Sequence, residues 1–239
     1  LAAQRPQEAL NITRELQKQR PDDAAGFMLE AAVEASRKNP GAAADAYRNA
    51  LKRSPTGALA SLAHGALMAA GRKAEADKLE ASWLAEHPRD TAFLLHLGLQ
   101  ALEQGALEKA EARMRSVTQL DPQSAVAFNN LSWVLAERKQ PGAVAAAQRA
   151  NELRPNMPEF LDTLAHALGA EGQMDKAIET QKKALDLAGP NAPVLRLNLA
   201  KLYVKKGDAA AARNELQTLT ALGSKFGQQD EVTRLMKSL

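Results

Sequence analysis

The chain has 239 residues, 45% hydrophobic and 25% charged, which is enough apolar content for a large core and too much for a disordered chain. Its formal net charge is +3 and it has no cysteine, so disulfides, thiolate metal sites and cysteine nucleophiles are excluded. Aromatics make up only 4% while alanine is abundant, which points to close helix–helix contacts filled by small side chains.

The basic surplus is spread out. The nearest thing to a cluster, Lys201, Lys205 and Lys206, lacks the stacking aromatics of a nucleic-acid site and reads as a solvated helix face. No apolar run is long enough to span a membrane, and no signal peptide is present, so no direct membrane insertion is expected of this stretch. The chain opens on Leu1, not Met, which reads as a fragment with repeats cut away upstream.

The prolines set a register. Pro21, Pro55, Pro88, Pro122, Pro155 and Pro190 recur at about 34 residues, mostly just after helical segments, where proline stops a helix. Pro6, Pro40 and Pro141 are expected to open the second helix of a repeat, and Pro158 and Pro193 the first. Ala9, Ala43, Ala76, Ala110, Ala143, Ala177 and Ala212 repeat in the same register. So does the small series Ala31, Gly65, Gly98, Ser132, Ala165 and Ala200. One small residue on each helix of a pair is what a close crossing needs. Gly71, Gly105, Gly172 and Gly207 fall between the two series and suit the left-handed residue that ends a helix.

Taken in order, residues 1–23 read as the second helix of a half repeat. Full repeats are expected over 24–57, 58–90, 91–124, 125–157, 158–192 and 193–226. Residues 227–239 read as a capping helix, with Val232, Leu235, Met236 and Leu239 apolar at helical spacing. Three places depart from the pattern, one of them the repeat 158–192, which is one residue too long, with Ala188-Gly189-Pro190 before the next repeat. Arg138-Lys139-Gln140-Pro141 stands where a turn glycine is expected, and Trp83 fills a slot that is usually small.

These residues resemble the tetratricopeptide repeat (TPR), a helix–turn–helix unit of 34 residues. Leu94, Leu97, Gly98, Gly105, Ala110 and Pro122 carry its pattern in one repeat. Leu161, Leu164, Ala165, Gly172, Ala177, Ala184 and the turn near Pro190 carry it in another. The resemblance implies an all-α, right-handed superhelical solenoid of antiparallel helix hairpins forming a single domain over 1–239.

No catalytic constellation is found. His64, His87, His96 and His166 lie on different repeats or faces, and no pair has metal-ligand spacing on one helix. No phosphate loop, G-x-S-x-G or H-E-x-x-H occurs. Asn11-Ile12-Thr13 and Asn130-Leu131-Ser132 match the N-glycosylation pattern but lie inside expected helices, so they read as chance. The chain therefore reads as a non-enzyme with no cofactor and no metal.

What remains is surface. The TPR resemblance implies that the first helix of each repeat lines a concave groove. The groove positions are then Met28 and Ala32, Leu62 and Ala66, Leu95 and Leu99, Asn129 and Trp133, Asp162 and His166, and Leu197 and Lys201. Leu59, Leu102 and Lys205 are expected near the same surface. It runs from apolar, through a polar middle around Trp133, to basic. An apolar patch rimmed by polar groups suits a protein or peptide partner. The leucines could equally pack against neighbouring helices. Trp133 is the candidate interface anchor, since Trp is enriched at hot spots. The paired Lys and Asn of the carboxylate clamp in chaperone adaptors is not matched.

A narrower resemblance rests on Asn129-Asn130-Leu131-Ser132-Trp133, on Phe160-Leu161-Asp162-Thr163-Leu164-Ala165, on Leu195-Arg196-Leu197-Asn198-Leu199-Ala200-Lys201, and on Leu222-Gly223-Ser224-Lys225-Phe226 with its following helix. These runs are similar to bacterial TPR lipoproteins of PEP-CTERM and exosortase-type exopolysaccharide systems. That resemblance implies a periplasmic or envelope-anchored scaffold. The alternatives are a cytoplasmic co-chaperone or assembly adaptor, and a carbohydrate-binding surface of Trp133, Asn129 and Asp162. The N-terminal end has no expected cap, which makes it a candidate for homo-oligomer formation.

Overall fold

The computed structural model describes residues 5–239, and among them the chain is all-helical with no strand, as expected. The expected half repeat 1–23 begins outside the described residues. α1 (Pro6–Gln19) is followed by α2 (Ala25–Ser36) and α3 (Pro40–Arg53), then α4 (Gly57–Ala69) and α5 (Lys73–Glu86). Next come α6 (Thr91–Glu103) and α7 (Leu107–Leu120), α8 (Ala125–Glu137) and α9 (Ala143–Leu153), and α10 (Pro158–Ala170) and α11 (Met174–Ala188). The last helices are α12 (Pro193–Lys206), α13 (Ala209–Thr220) and α14 (Gln229–Lys237). The chain forms two compact units, Leu1–Leu97 and Gly98–Leu239, with the division inside α6.

Prolines open α1, α3, α10 and α12, where the missing N–H has no helical partner to lose. Pro141 does not open a helix. It sits in a turn, and α9 starts two residues later, after Gly142 at φ +95°. Proline there fixes the turn and not the helix start.

The turns between paired helices share one geometry. Gly71 at φ +72° ends α4; its N–H bonds the Met68 carbonyl, and Arg72 N–H bonds that of Leu67. That is a left-handed helix stop. Two turns make the same pair of bonds without glycine. Lys38 (φ +59°) and Lys139 (φ +53°) take the left-handed conformation, with bonds to Ala35 and Ala136, while Asn39 and Gln140 bond Glu34 and Leu135. The fold thus imposes its turn on residues that do not prefer it.

In the first unit Leu59, Ala60, Ala63, Trp83, Phe93 and Leu97 form the core, joined by Ala50 and Leu51 of α3. Leu59 is therefore buried and lines no groove, a correction to its expected place. Trp83 is also core, although it fills a position expected to be small. Its indole N–H donates to Asp90 Oδ2 at 3.0 Å, so burying the ring strands no donor. Asp90 Oδ1 meanwhile accepts from Ala92 and Phe93 N–H at the start of α6. A Cβ at Gly57 would collide with the Asp90 carboxylate.

In the second unit Ala165, Leu168, Ala177, Ile178, Leu199, Leu202, Tyr203 and Ala212 form the central cluster. Leu197, Ala200, Leu216, Leu219, Phe226 and Val232 form the terminal one, against which Leu235, Met236 and Leu239 pack. Leu197 is 1% exposed, so it too is core and not groove-lining, a second correction. Both Leu59 and Leu197 lie one residue out of phase with the exposed stripe of their helices. The small residues do as crossing positions must: Ala110, Ser132, Ala165, Ala177, Ala200 and Ala212 are fully buried.

Candidate protein-binding surface

The expected groove residues separate into three settings. Met28, 40% exposed, borders a recess with Arg20, Pro21, Asp22, Asp23 and Arg53 at the ends of α1 and α3. Leu62 lies elsewhere in the same unit, in an apolar trough with Tyr47, Gly65, Ala66, Ala69 and His96. Leu95 is half-buried and Leu99 exposed. Leu102 is half-buried against Ala101, Ala110 and Val134.

The polar members converge. Trp133 of α8, Asp162 and His166 of α10, and Lys201 and Lys205 of α12 line one cavity of about 400 Å³ in the second unit. Asn129, one turn before Trp133, is half-buried, and its Oδ1 is buried without a partner. Side chains at i and i+4 share a helix face, so one face of α10 delivers both Asp162 and His166, and one face of α12 both Lys201 and Lys205.

Residues outside the expected set build the floor. Gln181 of α11 is 0% exposed and donates from Nε2 to Asp162 Oδ1 at 2.6 Å and to the Leu195 carbonyl at 3.0 Å. Its Oε1 is buried without a partner. Asn198 of α12 donates to Asp162 Oδ1 at 2.8 Å and to Oδ2 at 3.1 Å. The carboxylate is therefore fixed by neutral amides. The signal for Asn198 was a spacing of 36 residues from Asp162, just off the repeat period. Gln181 carried no signal, because a lone Gln on a second helix reads as solvent-facing.

Each lysine of this cavity has a partner. Lys201 Nζ pairs with Glu231 Oε1 at 2.9 Å, and Lys205 Nζ donates to the Gly169 carbonyl at 2.5 Å. His166 Nε2 lies 2.9 Å from Glu137 Oε1 without the alignment of a hydrogen bond. Trp133 leaves 38% of its surface open beside them. An exposed indole next to fixed polar groups can bury apolar area and direct a chain at once.

His96, on the wall of the apolar trough of about 880 Å³ in the first unit, belongs to a pair that spacing along single helices could not find. His64 Nδ1 lies 3.0 Å from His96 Nε2, with the rings edge to face. His64 is 2% exposed. Burial pushes His96 down to about 4, with His64 beside it as the second cause. Burial also lowers His64, while Glu80 and Asp77 act to raise it and Lys73 to lower it. Among the described residues no group of three His, Cys, Asp or Glu is placed to hold a metal ion. No described helix is long and apolar enough to cross a membrane.

The tetratricopeptide repeat family model matches residues 170–236 of this chain. No curated protein matches it. Among solved structures, the Cut9–Hcn1 hetero-tetramer of the APC/C superposes with a TM-score of 0.69 at 17% identity, over 97% of this chain and 46% of that one. This chain thus spans less than half the length of that relative. Pseudomonas aeruginosa pilF gives 0.66 at 21% identity, over 88% of this chain and 96% of that one. MamA from Desulfovibrio magneticus RS-1 gives 0.60 at 22% identity, over 76% and 96%. These likenesses show the fold, a stack of TPR-type helix hairpins.

Proposed function

We propose that this chain, which carries the tetratricopeptide repeat fold, is a non-enzymatic scaffold that holds an extended segment of a protein partner on its second unit. The fold suggests protein–protein interaction in general. The observation that carries the specific reading is the cavity where the exposed ring of Trp133 meets Asp162, His166, Asn198, Lys201 and Lys205. An extended chain needs partners for its backbone groups at every other residue, and a wall of amides and charged side chains supplies both donors and acceptors. Asn129 lies one turn before Trp133 on the same helix face.

The setting we infer is a bacterial envelope scaffold acting in exopolysaccharide assembly or export. It is supported by the sequence runs around Asn129, Phe160 and Leu195, and fractionation of cells producing the full-length protein tests it. Recovery with the membrane or periplasm agrees with the setting, and recovery in the cytosol removes it.

The binding reading is tested by selecting displayed linear peptides on the immobilised protein and mapping their site with a photo-crosslinker at Asn129 or at Lys183. Lys183 is exposed and borders none of the cavities described above. Crosslinks from Asn129 and not from Lys183 are expected. Peptides that crosslink only from Lys183 would overturn the reading.

A further inference from the structure

We infer that the cavity beside Trp133 takes the guanidinium of an arginine in the partner segment, seated on the indole and against Asp162; this rests on the reading just proposed. Among the described residues no cationic side chain pairs with Asp162, although two lysines line its cavity. Lys201 is held by Glu231 and Lys205 by the Gly169 carbonyl. The three hydrogen bonds that Asp162 does accept come from neutral amides of Gln181 and Asn198. They fix the carboxylate in place without cancelling its charge. A carboxylate offers about four acceptor sites, so one remains open.

A second acceptor stands beside it. Gln181 Nε2 is 2.6 Å from Asp162 Oδ1, which places the unpartnered, buried Oε1 of the same amide next to the carboxylate. A buried acceptor without a donor costs free energy that a ligand donor restores. Guanidinium presents five N–H donors in a planar fork, and its plane also packs on an aromatic face. Trp133 supplies that face. An ammonium offers no planar fork, and a carboxylate would meet Asp162 with like charge. Glu231 meets the charge of Lys201, whereas Lys205 keeps its charge beside the neutral Gly169 carbonyl and opposes the guanidinium, so its removal is part of the test.

The test follows the indole N–H signal of Trp133 by NMR; the only other tryptophan, Trp83, is buried and bonded to Asp90. The probes are N-acetyl-arginine amide, N-acetyl-glutamine amide and N-acetyl-glutamate amide. The arginine probe should shift the Trp133 signal and the glutamate probe should not. Asp162→Asn should abolish the arginine shift, and Lys205→Gln should tighten arginine binding by roughly two- to threefold through loss of a like charge. If Asp162→Asn loses helicity, Lys205→Gln decides. Equal shifts from all three probes would overturn the arginine assignment and leave the partner-segment reading standing. Tighter glutamate than arginine binding would likewise overturn the assignment alone. No shift from any probe would overturn both.

Discussion

His64 and His96 share one hydrogen bond across two helices of the first unit, 3.0 Å between Nδ1 and Nε2. One ring must therefore donate and the other accept, which requires that at least one stay neutral. Both are held below the ordinary imidazole value, His96 to about 4. A histidine depressed in the fold binds fewer protons folded than unfolded, so stability falls as pH drops below about 6.5 toward about 4. The loss should be roughly 1–2 kcal/mol, less than full linkage because His96 is partly exposed. Urea denaturation at neutral pH and at mildly acidic pH measures it. His96→Gln should flatten the difference. An unchanged slope would place the acid sensitivity elsewhere.

Trp83, Asp90 and Gly57 form a second interlock. Asp90→Ala removes the acceptor of a buried indole N–H and the cap of α6 together, and should cost about 2–4 kcal/mol. Gly57→Ala should also destabilise, because its Cβ would meet the Asp90 carboxylate. Thermal and urea melts check both. Neutral behaviour of Asp90→Ala would mean that the indole finds another acceptor.

These two relationships mark the limit of what the sequence revealed. The period of Pro21 to Pro190 and the small series from Ala31 to Ala200 revealed the all-helical hairpin fold, because close crossing leaves a steric signature at each repeat. The exposure of Trp133 and the burial of Leu197 were not separable in advance. Both are large apolar residues on first helices, and only packing one residue out of phase tells them apart. The His64–His96 pair escaped for a related reason: its 32-residue spacing becomes a contact only when repeats stack. Gln181 escaped because an amide is informative only once its neighbours are known.

Lys38 and Lys139 occupy left-handed positions that cost a non-glycine residue about 1–2 kcal/mol. Lys38→Gly and Lys139→Gly should each stabilise by about 0.5–1 kcal/mol, the remainder being offset by glycine's greater unfolded-state freedom. Neither lysine lines the cavity beside Trp133, so binding there should be unchanged. Denaturant midpoints of the two variants check this. Destabilisation would show that the lysine side chains contribute contacts worth more than the strain.

Overpacking tests the crossings of the second unit. Ala110 is fully buried, and a Cβ added at Gly98 would lie 2.7 Å from Met114 Cε and 3.3 Å from Arg113 Cβ. Ala110→Leu and Gly98→Leu should each destabilise by roughly 1–3 kcal/mol. If both were neutral in denaturation, the helices would not cross closely at these residues.

The central claim, that the exposed indole of the second unit is a partner anchor and not part of the core, is tested most directly by Trp133→Ala. The measurement is the affinity of a selected linear peptide for both proteins, with melting curves of each. Loss of about tenfold or more in affinity with an unchanged melting midpoint is expected, in keeping with a truncated hot spot. Equal affinity, or a large drop in the midpoint, would contradict the account and return Trp133 to the core.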